Sequence, residues 1–234
     1  MCGRFALSAM LTDIAEEFST KAMPERTLPV DWNIKPTQDI YIIKNEKIEI
    51  AYWGIIAPWS KNLSEALRSQ SQAINARSET VHEKPTFRHA FRRNRCLIPA
   101  SGYFEWATEL GKYKTKQPVY ISHQEGKLLA FSGIYEKWIS PTGEEKESVA
   151  IITRDAVNEI ATVHNRMPLF LPRDRWDAWM DPGLQDIEKV RALMQVPQPD
   201  ANLRFWPVAD LVNSIRNNGA ELIAPIETQP ETLF

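Results

Sequence analysis

Two runs of alternating apolar and polar residues, each folding back about a short turn, limit what this chain can become more than any other feature. Asp39 to Lys44 and Lys47 to Trp53 flank Asn45-Glu46, with Trp53-Gly54 ending the second run. Pro118 to His123 and Lys127 to Trp138 flank Glu125-Gly126 in the same way. Both pairs predict β-hairpins. Cys96 to Trp106, punctuated by Pro99 and Gly102, predicts further strand, as do Ser148 to Thr153 and Leu203 to Val208. Helical spacing is confined to short stretches: Leu11 to Phe18, Lys84 to Arg95, Ala156 to Val163, Arg173 to Met180 and Asp186 to Gln195. Lys61 to Gln72 is polar and reads as a surface loop or helix. Hairpins with interspersed helices, rather than strict strand-helix alternation, predict an α+β fold whose mainly antiparallel sheet curls into a barrel.

A chain of 234 residues buries one sizeable core. We expect one domain over residues 1–224 and a loosely held tail over 225–234. The formal net charge of −2 supplies no global field to draw in nucleic acid, so any DNA site must be a local basic cleft. No apolar stretch approaches the length of a membrane span, and Met1-Cys2-Gly3-Arg4-Phe5 lacks the apolar core of a secretion signal. The two cysteines, Cys2 and Cys96, are too few for a disulfide scaffold and lack metal-ligand spacing. A reducing cytoplasmic setting is expected, with no membrane partner and no metal or organic cofactor. Cys96 reads as a buried small hydrophobe, and Trp138, Trp176 and Trp179 as core.

Cys2 carries the most chemical information. Once Met1 is removed, one residue presents an α-amine and a thiol on adjacent carbons. At pH 7 an α-amine holds a free-base fraction roughly 300-fold larger than a lysine does, so it attacks an aldehyde without a tuned pocket. The resulting imine carbon lies within reach of the thiol, and a five-membered thiazolidine closes. A small second residue also merely permits routine Met removal, so Cys2 alone leaves the structural and the chemical reading at even weight.

Other motifs tilt that balance: Asn33-Ile34-Lys35-Pro36; Trp53-Gly54 with Pro58-Trp59; Asn75-Ala76-Arg77-Ser78-Glu79-Thr80; Arg95-Cys96-Leu97-Ile98-Pro99; Gly102-Tyr103-Phe104-Glu105-Trp106; His164-Asn165-Arg166-Met167-Pro168; and Asn218-Gly219-Ala220-Glu221-Leu222. With Met1 to Phe5 they form an ordered set over nearly the whole chain that resembles the SOS-response-associated peptidase family, abasic-site processing proteins that crosslink to abasic sites in single-stranded DNA. The resemblance implies catalytic roles for Cys2, Asn75, Glu105 and His164. Glu105 opens the abasic sugar and assists imine formation, His164 carries a proton, and Asn75 orients the amine or the opened sugar. DNA contacts are implied for Arg4, Asn33, Pro36, Trp59, Arg77 and Arg166, the three arginines as phosphate clamps and Trp59 as a platform for a base. Ser60 departs from the second bulky residue that family members commonly carry after this tryptophan, which weakens an expected wedge. Arg88, Arg92, Arg93 and Arg95 read as a solvated basic helix face and stay outside the site.

The resemblance thus implies a monomer acting on abasic sites in single-stranded DNA. Cys2 forms a covalent thiazolidine crosslink after Met1 loss, by autoproteolysis on one route, and strand-cleaving lyase activity is possible at the imine stage. Two other classes stay open: an N-terminal-nucleophile cysteine amidohydrolase, marked by glutaminase activity, and a non-catalytic single-strand damage sensor, whose binding high salt reverses fully.

Overall fold

In the computed structural model of the chain, which describes residues 2–226, the hairpin pattern becomes two sheets sharing one core. The first half of the chain contains strands β1 (Arg4–Leu7), β2 (Asp31–Ile34), β3 (Asp39–Lys44), β4 (Lys47–Trp53), β5 (Asn75–Arg77), β6 (Arg95–Ala100) and β7 (Gly102–Ala107). Helices α1 (Leu11–Glu17), α2 (Leu63–Gln72) and α3 (Pro85–Arg93) lie between them. The second half contributes β8 (Gln117–His123), β9 (Leu129–Ile139), β10 (Glu145–Asp155), β11 (Arg166–Pro168) and β12 (Leu203–Pro207), with α4 (Ile160–Val163), α5 (Trp176–Met180) and α6 (Ile187–Leu193).

Strands run in the order β10-β4-β3-β6-β9, and β9 pairs back onto β10, closing a five-strand barrel. All its pairs are antiparallel except β10 with β4. The β3–β4 hairpin forms as expected, with Lys44 opposite Lys47. Asn45 and Glu46 both take positive φ, 48° and 61°, the left-handed pair a tight two-residue turn requires. Ile40 to Ile43 are all buried, so β3 packs on both faces. The second sheet, β12-β8-β7-β1-β2, is antiparallel throughout. β6 passes into β7 through Ser101, whose N–H donates to the Ala6 carbonyl at 2.7 Å, so one extended stretch serves both sheets. Gly102 is required at that passage, because any Cβ there would meet the Tyr120 ring.

Five expectations change. Residues 118–138 do not form a hairpin: β8 joins β7 and β12, whereas β9 joins β6 and β10. The turn residues mark where the chain reverses, not which strand becomes the neighbour. The hairpin that does form joins β9 to β10 with Ile139 opposite Glu145, so the strand expected from Ser148 starts earlier. Arg95 belongs to no exposed helical face. It begins β6 at 1% exposure and donates to the carbonyls of Phe91 and Arg92 at the end of α3 and of Trp179, Asp181 and Leu184 around α5. These carbonyls need a donor, and a guanidinium supplies five N–H groups in one plane. At the C-terminus, Ile226 N–H donates to the Pro207 carbonyl at 3.1 Å and Pro225 bridges Val208, so the start of the expected tail is held. Residues 227–234 lie outside the described residues. Cys96, Trp138 and Trp179 are buried, while Trp176 stays half-buried and stacks on Phe18.

Candidate active site

β10 builds the site because it outruns its barrel neighbours. β4 pairs with it only at Ser148 and Val149, and β9 leaves it at Ile151. The freed edges beyond are taken up separately. β5 adds in parallel, with Asn75 opposite Ile151 and Arg77 opposite Thr153. β11 adds antiparallel on the other side, with Arg166 opposite Asp155. One strand end thus holds both the Asn-Ala-Arg and the Arg-Met-Pro segments. β1 brings the N-terminus to the same place, pairing with β7 so that Arg4 lies opposite Phe104.

Cys2, immediately before β1, is fully buried, and Asn75 Nδ2 donates to its carbonyl at 2.8 Å. The Asn75 Oδ1 is buried with no hydrogen-bond partner among the described residues, leaving an acceptor for an incoming N–H or O–H. Burial pushes the Cys2 thiol far above its ordinary range, and the charge of Glu105 adds to the effect. The thiol is therefore neutral near pH 7 and reacts only as its proton is taken.

Glu105 sits in β7, an inner strand between β1 and β8, at 3% exposure. Burial raises its carboxyl to about 7, so both protonation states are populated near neutrality. His164 ends α4, which packs against β7, and its Nε2 lies 4.0 Å from Glu105 Oε2. The Arg166 backbone N–H meets His164 Nδ1 at 2.9 Å. Nδ1 also lies 3.3 Å from the Arg166 carbonyl, but the shorter contact is to an N–H that can only donate, which makes Nδ1 the acceptor and puts the proton of the neutral ring on Nε2, the nitrogen facing Glu105. Burial lowers the His164 pKa, favouring this neutral form. A carboxyl poised near 7 beside a neutral imidazole can exchange protons with a substrate in either direction.

The six residues expected to contact DNA fall into different settings. Arg77 is exposed at the end of β5, two positions after Asn75. Arg166 is 8% exposed, and its guanidinium is held by Glu79 at 2.8 and 3.0 Å, Asp155 at 2.5 Å and the Thr153 carbonyl at 2.7 Å. Arg4 donates to Asn33 Oδ1 at 2.6 Å and the Val212 carbonyl at 2.9 Å, and lies over the Trp106 ring. Asn33 is buried and donates onward to the carbonyls of Ser214 and Asn217. Pro36 is half-buried after β2. Trp59 is 56% exposed, on a turn pinned by the Trp138 indole N–H, which donates to the Ser60 carbonyl at 2.9 Å. Trp138 pairs with Lys146, at the end of β10 away from Asn75, so the anchor of this turn lies apart from the Cys2 group.

The model of the family described as SOS response associated peptidase (SRAP) matches residues 1–215. The chain belongs to the SRAP family. Among SRAP relatives, the abasic site processing protein YoqW of Bacillus subtilis is 36% identical over 228 residues, covering 95% of this chain and 99% of its own. The abasic site processing protein HMCES of Gallus gallus is 30% identical over 196 residues, covering 75% of this chain but 56% of its own. A solved structure from Bacteroides thetaiotaomicron superposes with a TM-score of 0.84 at 24% identity, covering 97% of this chain and all of that one, a likeness of fold.

Three contributors to this SRAP site escaped the sequence reading. Glu79 and Asp155 hold Arg166, and Thr153 holds both neighbouring segments, its carbonyl also accepting from Ser78 N–H at 2.8 Å. Glu79 stood inside a recognised motif, but it lies 87 positions from Arg166 and no local spacing links them.

Proposed function

We propose that this protein processes abasic sites in single-stranded DNA by covalent capture through Cys2. The observation carrying this reading is the convergence of Cys2, Asn75, Glu105 and His164 at one end of β10. The names of the relatives, abasic site processing proteins, supply the substrate class.

Loss of Met1, which we assign to the chain's own peptidase action, frees the Cys2 amine. As the abasic sugar opens, Glu105 protonates the ring oxygen and the anomeric hydroxyl's proton passes to His164, leaving the aldehyde. The amine attacks the aldehyde carbon, its two protons pass through the Glu105 and His164 pair to the carbonyl oxygen, and that oxygen leaves as water, giving an imine. The thiol then adds to the imine carbon: the C–S bond forms, the C=N π pair moves to nitrogen, and the sulfur's proton ends there. The thiazolidine has no imine left, so it withstands hydrolysis and stops the β-elimination that an imine permits. Arg77, exposed beside the site, contacts phosphate, while Arg166 positions β5 and His164 through the Glu79, Asp155 and Thr153 contacts.

The test is a denaturing gel of Met1-processed protein with single-stranded DNA carrying one abasic site. Wild type gives a heat-stable shifted band, Cys2→Ala gives none, and Cys2→Ser gives a band only after borohydride traps its imine. No band from wild type whose intact mass confirms an N-terminal Cys2 refutes covalent capture. A stable, untrapped adduct in Cys2→Ser refutes the thiol's role.

A further inference from the structure

The loop that follows β12 is pinned to the sheet by two of the side chains expected to face DNA. Arg4 Nη1 donates to the Val212 carbonyl at 2.9 Å and to Asn33 Oδ1 at 2.6 Å. Asn33 Nδ2 in turn donates to the carbonyls of Ser214 at 3.0 Å and Asn217 at 2.9 Å. From β7 the indole N–H of Trp106, the residue after Glu105, donates to Asn213 Oδ1 at 2.7 Å. The loop closes on itself where Asn217 Nδ2 donates to the Leu211 carbonyl at 2.8 Å, and Asn218 Oδ1 accepts from the Trp32 N–H of β2 at 2.8 Å. A loop held this firmly presents its outer side chains in fixed places. Those side chains are Ile215, 58% exposed, and the exposed Arg216, which no carboxylate engages among the described residues. Nearby acids are occupied: Asp210 by Lys114, and Asp31 by the Asn33 N–H and by Gln38.

We propose that residues 211–217 form a DNA-contacting loop, in which Arg216 pairs with a phosphate near the lesion and Ile215 lies against an adjoining base, while Arg4 and Asn33 are positioning residues that hold the loop. This rests on the reading of single-stranded DNA as the substrate. Cys2 lies two residues before Arg4, so the loop rims the end of the sheet from which the reacting group emerges. A single strand offers anionic phosphates beside apolar base faces, and an unpaired guanidinium next to an exposed aliphatic side chain matches both. Nη1 of Arg4 is spent on two internal oxygens, and buried Asn33 has its amide nitrogen and oxygen engaged. The pair therefore adds to DNA affinity through the loop rather than by touching the strand.

Both loop side chains are exposed, so replacing them tests binding without unfolding the protein. The measurement is fluorescence anisotropy of Met1-processed protein on labelled, undamaged single-stranded DNA across a series of salt concentrations. Arg216→Gln weakens binding about fivefold at the lowest salt and lowers the slope of log affinity against log salt by about 0.7, the loss of one phosphate contact. Ile215→Ser weakens binding about fivefold at every salt concentration and leaves the slope unchanged. Asn33→Ala loses slope as Arg216→Gln does, and combining the two lowers it no further, which an asparagine serving stability alone would not produce. Should Asn33→Ala not fold, the two exposed variants decide the matter. A slope unchanged in Arg216→Gln, or an affinity unchanged in Ile215→Ser, overturns the proposal. A wild type that binds DNA through these two residues yet never crosslinks abasic DNA would instead remove covalent capture and leave the loop's role standing.

Discussion

Replacing Glu105 by glutamine should stabilise the protein at alkaline pH while nearly abolishing its chemistry. The native carboxyl is held at about 7 by burial, against an ordinary 4.5. Because the folded state binds this proton more tightly than the unfolded state, stability is fully present below 4.5 and is lost as pH rises toward about 7. At 1.36 kcal/mol per pH unit the loss approaches ~3 kcal/mol, and between pH 5 and pH 8 it amounts to about 2–3 kcal/mol. Glutamine keeps the shape and cannot ionise, so this dependence disappears in Glu105→Gln. The assay is urea unfolding of both proteins at pH 5 and pH 8. Taking the difference between the two proteins at each pH cancels other titrating groups, His164 included, to the extent that the substitution leaves them alone. The stability gap should widen in the variant's favour by about 2–3 kcal/mol from pH 5 to pH 8, while the crosslinking rate falls roughly 10²- to 10⁴-fold. A gap that stays constant between the two pH values would refute a raised Glu105 carboxyl, and with it the proton exchange assigned to that group.

Arg95→Met, which leaves five carbonyls without their donor, should cost about 3 kcal/mol or more in urea unfolding; a loss below about 1 kcal/mol would show that these carbonyls find water instead. Trp59→Ala, at an exposed position, should leave stability within about 0.5 kcal/mol yet weaken single-stranded DNA binding about tenfold in fluorescence titration. Unchanged affinity would take Trp59 out of the DNA surface.

The barrel class was legible because two apolar runs, β3 and β4, are joined by a two-residue turn at Asn45-Glu46, a local signal that a local contact satisfies. The strand that assembles the site was not. Its apolar centre reads from Ser148 to Thr153, but β10 continues through Glu145-Lys146-Glu147 at one end and Arg154-Asp155 at the other. Those charged ends look like loop until β9, β5 and β11 are in place to pair with them. The motifs around Asn75 and Arg166 could be recognised singly, while their meeting on opposite edges of one strand is a non-local event that no spacing encodes.

Charge was the least reliable guide, for a physical reason. A guanidinium has no preferred place until its partners are known, since it is stable in water or against enough acceptors. Arg95 follows Arg88 and Arg92 at helical spacing, yet it is enclosed by carbonyls from two helix ends more than 80 positions apart. Arg166, expected among the phosphate contacts, has its charge engaged by Glu79 and Asp155. Arg77, with the same side chain and one strand away, remains exposed. What separates them is the company each strand provides: β11 sets Arg166 opposite Asp155, whereas β5 ends with Arg77 at the surface. For the proposed DNA contact, the arginine available to phosphate is the one that no neighbouring carboxylate engages among the described residues, and that is settled by strand pairing rather than by the count of basic residues.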